Sequence, residues 1–92
     1  MYRVIATNKF KRDLKLAMKR GCNIALMDGV VTTLAAGEAL AESHKDHPLK
    51  GNYVGCRECH ITPDWLLIYE IADENLILYL TRTGTHSDLF SK

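Results

Sequence analysis

The sequence predicts an α+β domain with the order β-α-α-β-β-β, in which a helical hairpin packs on a small, mainly antiparallel sheet and a short helical turn closes the chain. Three observations predict it. Residues 65–71 are apolar except for Glu70, the mark of a strand buried on both faces and therefore central in its sheet. Two helical periodicities come before that strand, separated by Gly21. The strands around it are joined by Thr62-Pro63-Asp64 and Asp73-Glu74-Asn75, links short enough to force antiparallel neighbours. At 92 residues the chain makes one domain with one core, spanning 1–92.

Residues 2–6 are a short β-prone run, and Thr7 or Asn8 can cap the helix that follows. In that helix Phe10, Leu14, Ala17 and Met18 recur at i, i+4, i+7 and i+8. Lys11, Arg12, Lys15 and Lys19 fall on the other side, giving a basic outer face. Lys19-Arg20-Gly21 ends the helix, with cations in the last turn and glycine where φ turns positive. A second helix starts near Asn23 and buries Ile24, Met27, Val30 or Val31 and Leu34 until Gly37. Residues 38–50 lose periodicity and read as a long surface loop carrying His44, Lys45, Asp46, His47 and Pro48. Strands follow over 53–61, 65–71 and 76–82, which leaves the first strand to pair at an edge or beside a later one. After Thr83-Gly84-Thr85, residues 86–90 form one helical turn packed back on the domain.

The net charge of +1 is unevenly spread: residues 9–20 carry +5 and leave −4 for the remainder. A basic stripe on a mildly acidic molecule is a local footprint for phosphate. No segment reads as a signal peptide or reaches membrane-spanning length, so a cytoplasmic protein with no membrane partner is expected. Three cysteines, Cys22, Cys56 and Cys59, are expected as free thiols.

Cys56-Arg57-Glu58-Cys59-His60 matches the C-x-x-C-H pattern of covalent haem attachment, but residues three apart on a strand point to opposite faces, so Cys56 and Cys59 cannot share one cofactor. The same parity disfavours zinc on the pair. A site built from one cysteine with His44, His47 or His86 lacks a second ligand motif.

His60 ends one strand and Asp64 stands at the turn into the next, so the two are neighbours by construction. His86 follows the last strand, which runs parallel to the one bearing His60, and His47 enters from the long loop. Three imidazoles and one carboxylate can thus converge on one rim. Phosphodiester cleavage asks for this set: a base for the ribose 2′-hydroxyl, a cation for the developing charge, and an acid for the leaving 5′-oxygen.

Three ordered motifs then resemble the YafQ toxins of the RelE/ParE superfamily, from bacterial type II toxin–antitoxin systems. They are Asp46-His47-Pro48-Leu49-x-Gly51, Arg57-Glu58-Cys59-His60-Ile61-x-Pro63-Asp64-Trp65-Leu66-Leu67-Ile68-Tyr69, and Arg82-Thr83-Gly84-Thr85-His86-Ser87-x-Leu89-Phe90. The resemblance covers essentially the whole chain and implies a RelE-like fold. It also implies a ribosome-dependent mRNA endonuclease that cuts the codon in the ribosomal A site, needs no metal or other cofactor, and is held inactive by a RelB/DinJ-like antitoxin. His47, His60, Asp64 and His86 carry over as the acid–base and phosphate-stabilising set, with His86 favoured as acid and His47 or His60 as base. Trp65 and Phe90 match positions that place RNA bases or support the site. Arg82 and Lys50 are assigned to the substrate, and Lys11, Arg12, Lys15 and Lys19 to rRNA. The modest net charge departs from the more basic character of such toxins. Two alternatives share the fold: a ParE-like gyrase-binding toxin and a catalytically inactive RNA-binding paralogue.

Overall fold

The computed structural model describes residues 1–90. Strand β1 (Arg3–Ala6) leads into helices α1 (Asn8–Lys19) and α2 (Ile24–Ala35). Strands β2 (His47–Pro48), β3 (Arg57–Thr62), β4 (Trp65–Ala72) and β5 (Ile77–Gly84) follow, and α3 (His86–Phe90) closes the chain. The five strands form one sheet in the order β1-β5-β4-β3-β2, antiparallel except for the parallel β1–β5 pair. That is the predicted α+β architecture, with β4 at its centre. No helix among the described residues is long and apolar enough to cross a membrane.

Both helices form where the caps dictate. The Thr7 hydroxyl accepts the Phe10 N–H at 3.0 Å, and the Asn23 side chain accepts the Ala25 N–H at 3.1 Å. At the other end of α1, Gly21 sits at φ +80°, so that Cys22 N–H reaches the Ala17 carbonyl and Gly21 N–H reaches that of Met18, the paired bonds of a Schellman stop. Gly37 ends α2 in the same way. The hairpin covers one face of the sheet. There Phe10, Ala17, Met27, Val30 and Leu34 pack against Cys59, Ile61, Trp65, Leu67 and Tyr69. On the other face Leu66 and Ile68 are covered by Leu89 of α3, with Leu49, Tyr53, Cys56 and Phe90 around them. The central strand is therefore buried on both sides, and Cys56 and Cys59 lie on opposite faces as parity requires. Burial pushes the Cys59 thiol up to about 12, which makes it inert at neutral pH.

Four expectations need correction. The loop 38–50 contains a 3₁₀ turn, Glu42–His44, and the strand β2, which pairs His47 with Glu58 and Pro48 with Arg57. A two-residue strand is too short to leave a periodicity. The strand expected from residue 53 starts at Arg57, because Gly51–Tyr53 is a 3₁₀ turn. The strand expected over 76–82 begins one residue later, since Leu76 is left-handed at φ +53°, and runs on to Gly84. Met18, expected in the core, is 60% exposed, and α1 instead turns Asp13 inward.

The reason lies at the edge of β5. Strand β1 ends at Ala6, opposite Leu80, so the last turn of β5 has lost its parallel neighbour. Buried backbone groups still need partners. The Thr7 hydroxyl donates to the Thr81 carbonyl at 2.8 Å, and the Asp13 carboxylate accepts the Thr83 N–H at 3.1 Å. Asp13 also takes Arg82 through two bonds, of 2.6 and 3.1 Å. Its loss would strand a largely buried guanidinium, at a cost of about 3 kcal/mol.

Candidate active site

Strand parity places Glu58 and His60 of β3 on the face away from the helical hairpin, opposite Ile68 and Leu66 of β4. Across the outer edge β2 presents His47, registered against Glu58. The turn after β3 supplies Asp64, and α3 begins with His86. His47, His60, Asp64 and His86 are thus brought together, as the sequence led one to expect.

Two subgroups compose the site. In the first, Asp64 Oδ1 accepts from His86 Nδ1 at 2.8 Å and from the His86 backbone N–H at 3.2 Å. The ring bond and then the backbone bond hold the Asp64 carboxyl below its ordinary value. A carboxylate on Nδ1 fixes the tautomer and leaves Nε2 outside that bond. The ring stands on firm ground, because Thr85 and Asp88 cap α3 reciprocally: Asp88 N–H donates to the Thr85 hydroxyl at 3.1 Å and Thr85 N–H to the Asp88 carboxylate at 3.0 Å. Arg20, at the end of α1, clamps Asp88 at 2.6 Å. Arg20 and then Thr85 hold the Asp88 carboxyl down to about 2. The clamp therefore contributes in full above the ordinary carboxylate range and is lost progressively as pH falls from there through about 2.

The second subgroup centres on Glu58, which is 4% exposed. A carboxylate so buried requires a cationic or donor partner. Oε1 lies 3.4 Å from His47 Nε2 and 3.8 Å from His60 Nε2. His47 Nδ1 donates to the Lys45 carbonyl at 2.7 Å, so both nitrogens of that ring face oxygen acceptors. His60 Nδ1 donates to the Pro63 carbonyl at 3.2 Å, but its Nε2 is beyond hydrogen-bond length from Glu58 and stays available. The two subgroups meet where the His60 and His86 rings stand 5.6 Å apart, tilted by 58°. His44, outside the set, donates Nδ1 to the His60 carbonyl at 2.7 Å and so braces β3 beyond the end of β2.

The remaining assigned residues lie around this centre. Trp65 is 6% exposed, with its indole N–H on the Thr83 hydroxyl at 2.9 Å, and packs in the main core. Its edge lines a cleft of about 380 Å³, shared with Leu16, Ala17, Cys22, Asp64 and Thr85. Phe90, half-buried, meets Tyr53 edge-on at 6.0 Å, and the pair borders a shallow depression with Lys50. Arg82 is spent on Asp13, with Tyr53 OH at 3.5 Å. Lys11, Arg12, Lys15 and Lys19 are all exposed on α1, across the sheet from the histidines, and form no ion pair among the described residues.

Glu58 is the member of this cluster that sequence reasoning missed, although it stands two before His60 on a strand, the spacing that shares a face. With His60 and His86 it also brings three ligand atoms within 4.8 Å of one another, a two-imidazole, one-carboxylate set of the kind that holds zinc or copper. No cysteine takes part in it.

A family model described as the bacterial toxin of type II toxin-antitoxin system, YafQ, matches residues 2–91. Over 85 residues the chain is 39% identical to the mRNA interferase toxin YafQ of Escherichia coli strain K12, covering 91% of this chain and 90% of that one. A metal-bound toxin from Helicobacter pylori superposes with a TM-score of 0.92 at 44% identity, over 98% of this chain and 100% of that one. The Escherichia coli DinJ–YafQ complex contains a chain that matches with a TM-score of 0.89 at 36% identity, over 98% and 99%. This chain belongs to the YafQ family of toxins from bacterial type II toxin–antitoxin systems.

Proposed function

We propose that the chain is a cytoplasmic mRNA endonuclease that enters the ribosome, cuts the codon in the A site by acid–base catalysis on its own histidines, and is silenced by a DinJ-type antitoxin. The observation that carries this reading is the pair of imidazoles 5.6 Å apart, one fixed through Nδ1 by Asp64 and both with Nε2 unspent. His60 Nε2 takes the proton of the ribose 2′-hydroxyl as its oxygen bonds to phosphorus. The bond from phosphorus to the 5′-oxygen breaks, and His86 Nε2 protonates the departing oxygen while Asp64 balances the ring's charge. His47, held beside Glu58, serves in its protonated form to neutralise the charge that gathers on the phosphoryl oxygens. The products are a 2′,3′-cyclic phosphate and a free 5′-hydroxyl. His86 keeps the role of acid that the resemblance suggested, and His60 is preferred to His47 as base because its Nε2 is not bonded. Convergence of all four groups disfavours the gyrase-binding alternative, which has no use for them. The complex of the Escherichia coli relative with DinJ supports the partner class.

A divalent metal, where bound, would be held by Glu58, His60 and His86 and would polarise a phosphoryl oxygen there. It would also compete for the imidazoles of the proposed base and acid. Cleavage in a translation extract is therefore expected to persist when the toxin is stripped with EDTA and returned to magnesium-replete ribosomes, and to fall when copper or zinc is added in stoichiometric amounts. Loss of activity on stripping, restored by copper or zinc, would replace this reading with a metal mechanism.

A further inference from the structure

His47 stands on the shortest strand of the sheet. Strand β2 is two residues long and lies at the sheet's outer edge, and Lys45, just before it, is left-handed at φ +48°. Two ladder positions cannot by themselves hold an imidazole to the tolerance that catalysis asks. The Leu49 N–H on the Cys56 carbonyl at 2.9 Å and the ring's own contacts with the Lys45 carbonyl and Glu58 add to this, and a further anchor lies on the other face. By alternation Asp46 points to the face opposite His47, toward the helical hairpin. There its Oδ1 accepts the Tyr69 hydroxyl at 2.7 Å and the Arg57 Nε at 3.2 Å. Tyr69 is 1% exposed, part of the main core on central strand β4, and opposes Arg57 in register. The chain of bonded groups thus runs from the central strand, under β3, to the loop at the edge.

We infer that Asp46 is the positioning residue for His47: anchored by Tyr69 and Arg57, its carboxylate sets where β2 stands and hence how the imidazole meets Glu58. The inference rests on the reading that His47 serves RNA cleavage. Burial, and then Asp46 itself, push the Tyr69 phenol up, so it remains a donor throughout the neutral range. Asp46 touches no substrate in this scheme and acts only through His47. Supporting groups of this kind typically change activity by about 10- to 100-fold when removed.

The test uses the full chain in three variants: Asp46→Ala removes the acceptor on a half-exposed loop, Tyr69→Phe removes the donor while keeping the ring, and Asp46→Asn keeps an acceptor oxygen. Imidazole resonances are followed by NMR together with kcat and KM for ribosome-bound mRNA. Asp46→Ala and Tyr69→Phe are expected to move the His47 ring signals, leave those of His86 in place, and lower kcat about 10- to 100-fold with KM little changed. Asp46→Asn should recover most of the parent's His47 signals and rate. Unmoved His47 signals in Asp46→Ala and Tyr69→Phe would overturn the inference, as would an Asp46→Asn variant indistinguishable from Asp46→Ala. A parent chain that cuts no RNA would sink the functional reading alone, because the NMR comparison still decides whether Asp46 places His47.

Discussion

Replacing His86 with alanine is expected to slow mRNA cleavage by about 10²–10⁴-fold, the usual contribution of a general acid. Expression of the variant without its antitoxin should then no longer arrest growth. The fold should survive, because the side chain is half-exposed and lies outside the core. The bond from the residue-86 backbone N–H to Asp64 and the Thr85–Asp88 cap do not involve the imidazole. Alanine at the first position of α3 is a good helix former, so urea unfolding should shift by no more than about 0.5 kcal/mol. The two measurements together separate chemistry from folding. A folded His86→Ala protein that still cuts at the parental rate would remove the acid from this scheme.

The second large effect concerns binding. Reversing Lys11, Lys15 and Lys19 to glutamate changes three exposed positions at i, i+4 and i+8 on α1, away from Phe10, Leu14 and Ala17. On the proposed reading the toxin meets both mRNA and rRNA and needs a second charged face, and α1 packs on the sheet face opposite Glu58 and His60. Each phosphate that no longer meets a lysine should flatten the salt dependence of binding by about 0.9 in slope. Losing three such contacts should weaken ribosome affinity on the order of 100-fold near physiological salt. Lower salt or more ribosomes should restore part of the activity, since the site itself is untouched. Should the triple variant bind as tightly as the parent, the rRNA surface would have to involve Lys45 or Lys50, because Arg57 and Arg82 are already committed to Asp46 and Asp13.

Much of the fold is legible in the sequence because local chemistry and global packing agree there. The apolar run from Trp65 marks the central strand, Thr7 and Asn23 the helix starts, Gly21 and Gly37 their stops. Where long-range need overrides local pattern, the sequence misleads. Amphipathicity turns Met18 inward and Asp13 outward, yet the unpaired end of β5 requires an acceptor and takes Asp13. Strand β2 leaves no periodic trace because two residues have no period. In the site, turn chemistry and strand order alone are enough to bring His60, Asp64 and His86 together. Glu58 is hidden in a motif whose cysteines draw attention first. The Asp46–Tyr69 bond joins residues 23 apart across an intervening strand, and no local pattern encodes it.

The central claim is that the ribose 2′-hydroxyl is the nucleophile and the chain's histidines move the protons. It is tested most directly with an A-site codon carrying a single 2′-deoxynucleotide on the 5′ side of the scissile phosphate, presented to the toxin on intact ribosomes. The unmodified codon is expected to be cut to a 2′,3′-cyclic phosphate and a 5′-hydroxyl, and the deoxy codon to bind without being cut. Cleavage of the deoxy codon at an undiminished rate would mean that water or another group attacks phosphorus, and would contradict the claim.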